Sequence, residues 1–216
     1  MVEEELLESL HEPTMRRIAG VTPAVVTENI DLTGQGRVQV RFPWIPDVEP
    51  WARVCAPAAG DGTGLWAIPQ TGDEVLVAFA GGDIAHPYVL GGLWSMDASP
   101  PADLPTESIT KRVFKSPLGH TITVDDFEQS IVLESKIGHK IEIGAEKISI
   151  SLAAGAASIE LDATGAVKLT GKRSVEISAP TVEITGNGSA KVSSSGSLQL
   201  DGGASCKIAA SVVAIN

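Results

Sequence analysis

The chain has 216 residues, a formal net charge of −11 and few aromatics (4 Trp, 1 Tyr, 4 Phe). Residues 1–110 carry five Arg, no Lys and 16 acidic residues, whereas residues 111–216 carry 11 charges of each sign. This acidic-then-neutral balance lacks the basic footprint of a nucleic-acid binder, and no apolar run approaches the roughly 20 residues of a membrane span.

The N-terminus, Met1-Val2-Glu3-Glu4-Glu5, is acidic where a secretion signal would be basic, so assembly is expected in the cytoplasm. Residues 2–12 read as a short helix. Three glutamates favour its N-terminal dipole, Val2, Leu6 and Leu10 share one face, and Pro13 ends it. A helix this short is marginal alone in water, so it is expected to dock on a partner.

Residues 14–96 read as a small β-barrel of about five strands, OB-fold-like in size. After the Gly34-Gln35-Gly36 turn comes the alternating strand Arg37–Phe42, then Ala52–Ala56, ended by Pro57. Gly60–Gly64 reads as a flexible loop, followed by Leu65–Ile68 and the turn Gln70–Asp73. Glu74–Phe79 and Tyr88–Trp94 complete the set. Residues 97–112, with Pro100, Pro101 and Pro105, form a linker. Cys55 and Cys206 fit no metal spacing or disulfide framework and read as small buried thiols.

From residue 113 to 216 the pattern is apolar–polar–apolar, cut by Gly or Ser about every eight residues. The apolar positions are Ile141 and Ile143, Ile148 and Ile150, Ile159 and Leu161, Val167 and Leu169, Val175 and Ile177, Val182 and Ile184, and Leu198 and Leu200. Between them stand Glu142, Ser149, Glu160, Lys168, Glu176, Glu183 and Gln199, so one face is dry and the other wet. No aromatic follows Phe127, so the interior must be narrow. A fixed short period of this kind denotes a wound or stacked architecture. A single-chain β-solenoid of about 24 residues per coil fits. So do three intertwined chains, each giving one strand per layer, with twelve layers in a rod of roughly 55–60 Å. Three chains triple the buried surface without adding sequence, which favours the trimer.

Signs of chemistry are sparse. Gly60–Gly64 lacks the strand-before, helix-after context of a phosphate cradle. Asp125, Asp126 and Glu128 lie by a strand end with no nucleophile or base, and Ser193–Ser197 reads as corner residues. His120 and His139 open two Gly-His-x-Ile copies and share parity with Ile122 and Ile141. They read as corner histidines bonded to backbone, with an axial ion between three copies as the competing reading. No cofactor is expected.

Four blocks of the barrel carry a resemblance: Gly36–Trp44, Trp51–Val54, Gly72–Phe79 and Pro87–Trp94. Together and in this order they resemble the baseplate assembly protein V and VgrG spike families of contractile injection systems, over residues 14–216. The resemblance implies an all-β protein, an OB-fold collar followed by a trimeric triple-stranded β-helix needle, with a mechanical, non-enzymatic role. The needle sits beneath the tail tube, within a phage tail-like particle assembled in the cytoplasm, and contacts a target membrane only during injection. VgrG relatives carry large hub domains ahead of the barrel, where this chain has about 13 residues. The hub is therefore expected to be a separate protein above, contacted by Val2, Leu6 and Leu10. The linker leaves no room for the lysozyme domain of some relatives, and the His-x-His iron site of some phage spikes has no counterpart after His139. The apolar end Val212, Val213, Ala214, Ile215 and Asn216 is expected to seat a PAAR-type tip protein below. The competing function is a trimeric adhesin or tail-fibre module whose barrel binds carbohydrate.

Overall fold

A computed structural model describes residues 18–102 and 105–214. The expected helix 2–12, with Val2, Leu6 and Leu10, lies outside the described residues, as do Ile215 and Asn216.

The first strands are β1 (Val21–Glu28), β2 (Val38–Arg41), β3 (Trp51–Val54), β4 (Ala59–Gly60), β5 (Thr63–Gly64), β6 (Glu74–Phe79) and β7 (Pro87–Gly92). Five of them close a barrel in the order β1-β2-β3-β7-β6, with β3 and β7 the one parallel pair. The period-two alternation decides what lies inside. Ala24, Val26, Val38, Val40, Ala52, Val75, Val77 and Val89 fill the lumen, closed by Phe42 and Phe79 with ring centroids 5.3 Å apart. Truncating Phe42, which is fully buried, to Ala would cost about 3–5 kcal/mol.

The strand count is as expected, but its membership differs. Leu65–Ile68 is not a strand, and β1 takes its place although Pro23 interrupts its alternation. Proline lacks a ladder donor, yet it is tolerated here, because β1 pairs with β2 only from Val25 onward and Pro23 has no partner strand on that edge. The expected flexible loop Gly60–Gly64 is part of the tight β4–β5 hairpin, which needs positive φ at Gly62 and Gly64.

The barrel has a polarity. The chain arrives at one end, where the Ile18 N–H donates to the Gly82 carbonyl at 3.0 Å. It leaves at the other, where Gly92 pairs with Val75 and the Leu93 N–H donates to Glu74 O at 2.8 Å. The β1–β2 loop lies at this exit end, because the residues flanking it are level with Asp73 (Val26 N–H to Asp73 O, 3.0 Å).

The linker ends in one helical turn, α1 (Glu107–Thr110), which runs directly into the first strand of a second sheet. That sheet comprises β8 (Lys111–Lys115), β9 (Thr121–Asp125), β10 (Ser130–Glu134), β11 (Lys140–Ile143), β12 (Lys147–Ser151), β13 (Ala157–Asp162) and β14 (Val167–Gly171). Each strand pairs antiparallel with the next, so one chain folds up and down as a seven-stranded meander. The repeat continues past it, but among the described residues 172–214 forms no strand. Its apolar–polar–apolar units have no in-chain partner to complete a ladder. The expected run of twelve strands is thus divided into a paired stretch and an unpaired one.

Candidate functional site: an unpartnered apolar sheet face

The register of the meander converts the sequence pattern into two apolar columns. One runs Phe114, Ile122, Leu133, Ile141, Ile150, Ile159, Leu169 across the seven strands. The other runs Val124, Ile131, Ile143, Ile148, Leu161, Val167, headed by Arg112. Between the columns, on the opposite face, stand Val113, Thr123, Val132, Glu142, Ser149, Glu160 and Lys168. Directly opposed apolar pairs such as Ile141 and Ile150 are what stabilise adjoining strands.

Burial across this sheet is inverted. Ser149 on the polar face is 7% exposed, while Ile148 and Ile150 on either side of it are 44% and 46% exposed. Every column member from Phe114 to Leu169 is exposed, because the sheet is a single layer with nothing over its apolar face. The distal positions Val175, Ile177, Val182, Ile184, Leu198 and Leu200 are exposed as well, as are Val212 and Val213. The expected core set Ile141–Leu200 therefore falls on one face as far as Leu169. Phe114, Val124, Ile131 and Leu133 belong with it; the same two-residue period marks them in the sequence.

The corners are built to repeat. Ser116 Oγ accepts the His120 N–H and Ser135 Oγ accepts the His139 N–H, both at 3.0 Å. Gly119 and Gly138 turn the chain at φ 93° and 84°. Each imidazole then reaches the next corner. His120 Nδ1 accepts the Lys136 N–H at 3.4 Å, and His139 Nδ1 accepts the Ala153 N–H at 3.0 Å. Both rings line one recess along the apolar face, with Ile122, Leu133, Ile141 and Ile150. This is the backbone-bonded corner reading.

Asp125, the buried member of the acidic trio, caps a turn. Its Oδ1 accepts the N–H groups of Phe127 (3.0 Å) and Glu128 (3.1 Å), and its Oδ2 lies 3.6 Å from Lys111 Nζ. Lys111 also pairs with Glu107, tying α1 to the head of the sheet, and these two carboxylates raise its pKa. Cys55 and Cys206 are both exposed, not buried. Cys55 comes immediately after β3, where the chain leaves the barrel wall.

The family model of the type VI secretion system/phage-baseplate injector OB domain matches residues 22–94, the limits of the closed barrel. The barrel is what this chain shares with that family. The injector OB domain is also what the four sequence blocks pointed to, so the resemblance to baseplate and VgrG-type spike proteins is borne out. The type VI secretion system spike protein VgrG4b of Pseudomonas aeruginosa is 38% identical over 110 residues, 46% of this chain and 14% of that protein. Spike protein VgrG1a of the same organism is 29% identical over 154 residues, 67% of this chain and 24% of its own, so similarity continues outside the injector OB domain. The actin cross-linking toxin VgrG1 of Vibrio cholerae is 36% identical over 95 residues, 41% of this chain and 9% of its own. The chain spans a quarter or less of these relatives.

Proposed function

We propose that three copies of this chain form the central spike of a contractile injection particle, a structural and non-enzymatic part. The carrying observation is the pair of apolar columns lying exposed on a single-layer sheet. An apolar face of this extent is a liability on a soluble chain unless another surface covers it. Three sheets turned inward as a prism cover one another's columns. Thr123, Glu142, Glu160 and Lys168 then stay on the outer face.

The two halves of the repeat support different kinds of association. From β8 to β14 each chain satisfies its own backbone by hairpins, and only side chains need partners. Beyond Gly171 the apolar units recur every seven or eight residues, and among the described residues none of them folds back on another as a strand. Backbone groups of 172–214 then find partners only on other copies, beginning at the open edge of β14. Strands interleaved in this way resist axial load, because withdrawing one chain breaks bonds along the whole length.

In the particle, the shaft joins a hub protein above, through Val2, Leu6 and Leu10, to a PAAR-type tip protein on Val212, Val213, Ala214, Ile215 and Asn216. Assembly takes place in the cytoplasm, and the target envelope is met on contraction. Light scattering on the full-length chain tests this reading: a trimer supports it, and a stable monomer contradicts it.

A further inference from the structure

The exit end of the barrel holds a cleft of about 590 Å³ between the β1–β2 loop and residues 54–68. Its lining includes Gly36, Val54, Cys55, Leu65, Trp66 and Ile68, and no charged side chain. One wall is preformed. The β1–β2 loop is pinned by Asp31, and the Trp66 ring packs so closely on Gly36 that a Cβ there would lie 2.7 Å from it. A cleft that is uncharged, walled by an indole and held open by a rigid loop is shaped for an apolar plug.

The chain carries such a plug at the same end. Trp94 and Met96 follow β7 and are 72% and 100% exposed. A tight turn holds them outward: the Ser95 N–H donates to Ala98 O at 3.0 Å, and Ser95 Oγ accepts the N–H groups of Asp97 and Ala98. Neither side chain lines the cleft of its own barrel.

We propose that in the trimer Trp94 and Met96 of one copy seat in the cleft beside Cys55 of the next copy. The inference rests on the trimeric reading above. Plug and cleft share one end of the barrel, so threefold rotation brings each plug level with a neighbouring cleft. One such head-to-tail contact, repeated three times, closes a ring. Burying an indole removes about 150–250 Å² from water, and an unbranched thioether fits an irregular gap. The ring ties the three collars together where the shaft begins.

The test is a disulfide trap. Met96→Cys, in a Cys206→Ser background, leaves each copy with two thiols, at positions 55 and 96. Mild oxidation of the full-length assembly is followed on non-reducing denaturing gels, where only bonds between the two different positions can close a covalent trimer and a product that stops at the dimer overturns the plug. Disulfide geometry demands Cα atoms roughly 4.4–6.8 Å apart, so the expected product is a covalent dimer maturing to a covalent trimer. Light scattering on the same sample separates the two claims. A trimer whose thiols stay free, or close only within one chain, overturns the plug and leaves the shaft intact. A monomer overturns the shaft and the plug with it. As a second readout, Trp94→Ala is expected to retain the trimer and speed thiol labelling of Cys55 several-fold. Unchanged labelling, or protection of Cys55 only after a separate hub protein is added, assigns the cleft to another occupant and overturns the proposal.

Discussion

Arg37 lays Nε on Oδ2 and Nη2 on Oδ1 of Asp31, each at 3.0 Å, closing a two-point ion pair across the β1–β2 loop. The same carboxylate also accepts N–H groups from Thr33, Gln35 and Arg37 and the Thr33 hydroxyl. Arg37 is held from its other side by the Trp51 ring, 5.5 Å from the guanidinium. The fork of Arg matches a carboxylate as Lys does not, so Arg37→Lys is expected to loosen the loop although it keeps the charge.

The Arg37 guanidinium, helped by the Thr33 hydroxyl, holds the Asp31 carboxyl well below the usual carboxylate range. A carboxyl with a depressed folded-state pKa stabilises the fold fully above its unfolded value, near 4. That contribution is lost as pH falls through this value toward the folded one. Asp31→Asn should therefore melt below the parent barrel at neutral pH, with the gap shrinking progressively below about pH 4. Melting curves of both proteins from pH 7 to pH 2.5 check this, and a gap constant with pH would remove the ion pair from the account.

Gly36 and Gly34 sit on the same loop, both with positive φ (67° and 72°). Alanine at Gly34 meets only the backbone penalty, about 1–2 kcal/mol, because no atom lies within 4 Å of the added Cβ. Alanine at Gly36 meets that penalty and the Trp66 ring as well. Thermal unfolding should rank parent, Gly34→Ala, Gly36→Ala in falling stability, with a shifted Trp fluorescence maximum in the last alone.

His139→Ala removes the acceptor of the Ala153 N–H and should cost about 1 kcal/mol or less, the net worth of one hydrogen bond. Its signature is local. The Ala153 amide should exchange with solvent faster while amides of β9 and β10 keep their rates. The matching variant His120→Ala should act in the same way on Lys136.

Charge placed in an apolar column should act on assembly, not on the barrel. Ile150→Asp, or Ile177→Asp further along, puts three like charges near the axis of a trimer, where unpaired burial is prohibitive. Size-exclusion light scattering should report loss of the trimer with the barrel's melting transition retained. Thr123→Asp, on the opposite face, should assemble as the parent does.

Much of this was legible in the chain because side-chain parity is a local property. The alternation Ile141-Glu142-Ile143 and Ile148-Ser149-Ile150 fixes a face whatever the pairing. The register in which Ile141 opposes Ile150 then follows from turn length. β1 was not legible, since Pro23 and the adjacent pair Val25-Val26 break the alternation that marks β2 and β6. Leu65–Ile68 read as a strand on composition, but its large side chains line the cleft instead of the lumen. Past Gly171 the face pattern persists while the hydrogen-bond partners do not lie within one chain, so no in-chain strand can express it. His120 and His139 shared parity with the apolar set. Their use as acceptors depended on which backbone N–H the next corner would bring to Nδ1, a contact across 14 to 16 residues.

In the proposed trimer the two columns face one another across a threefold axis. Light scattering of the full-length chain, extended to concentrations low enough to favour dissociation, tests it most directly. Three chain masses, with the Ile150→Asp variant at one chain mass, is the expected result. One chain mass for the parent at every concentration, with the columns still open to solvent, would contradict it.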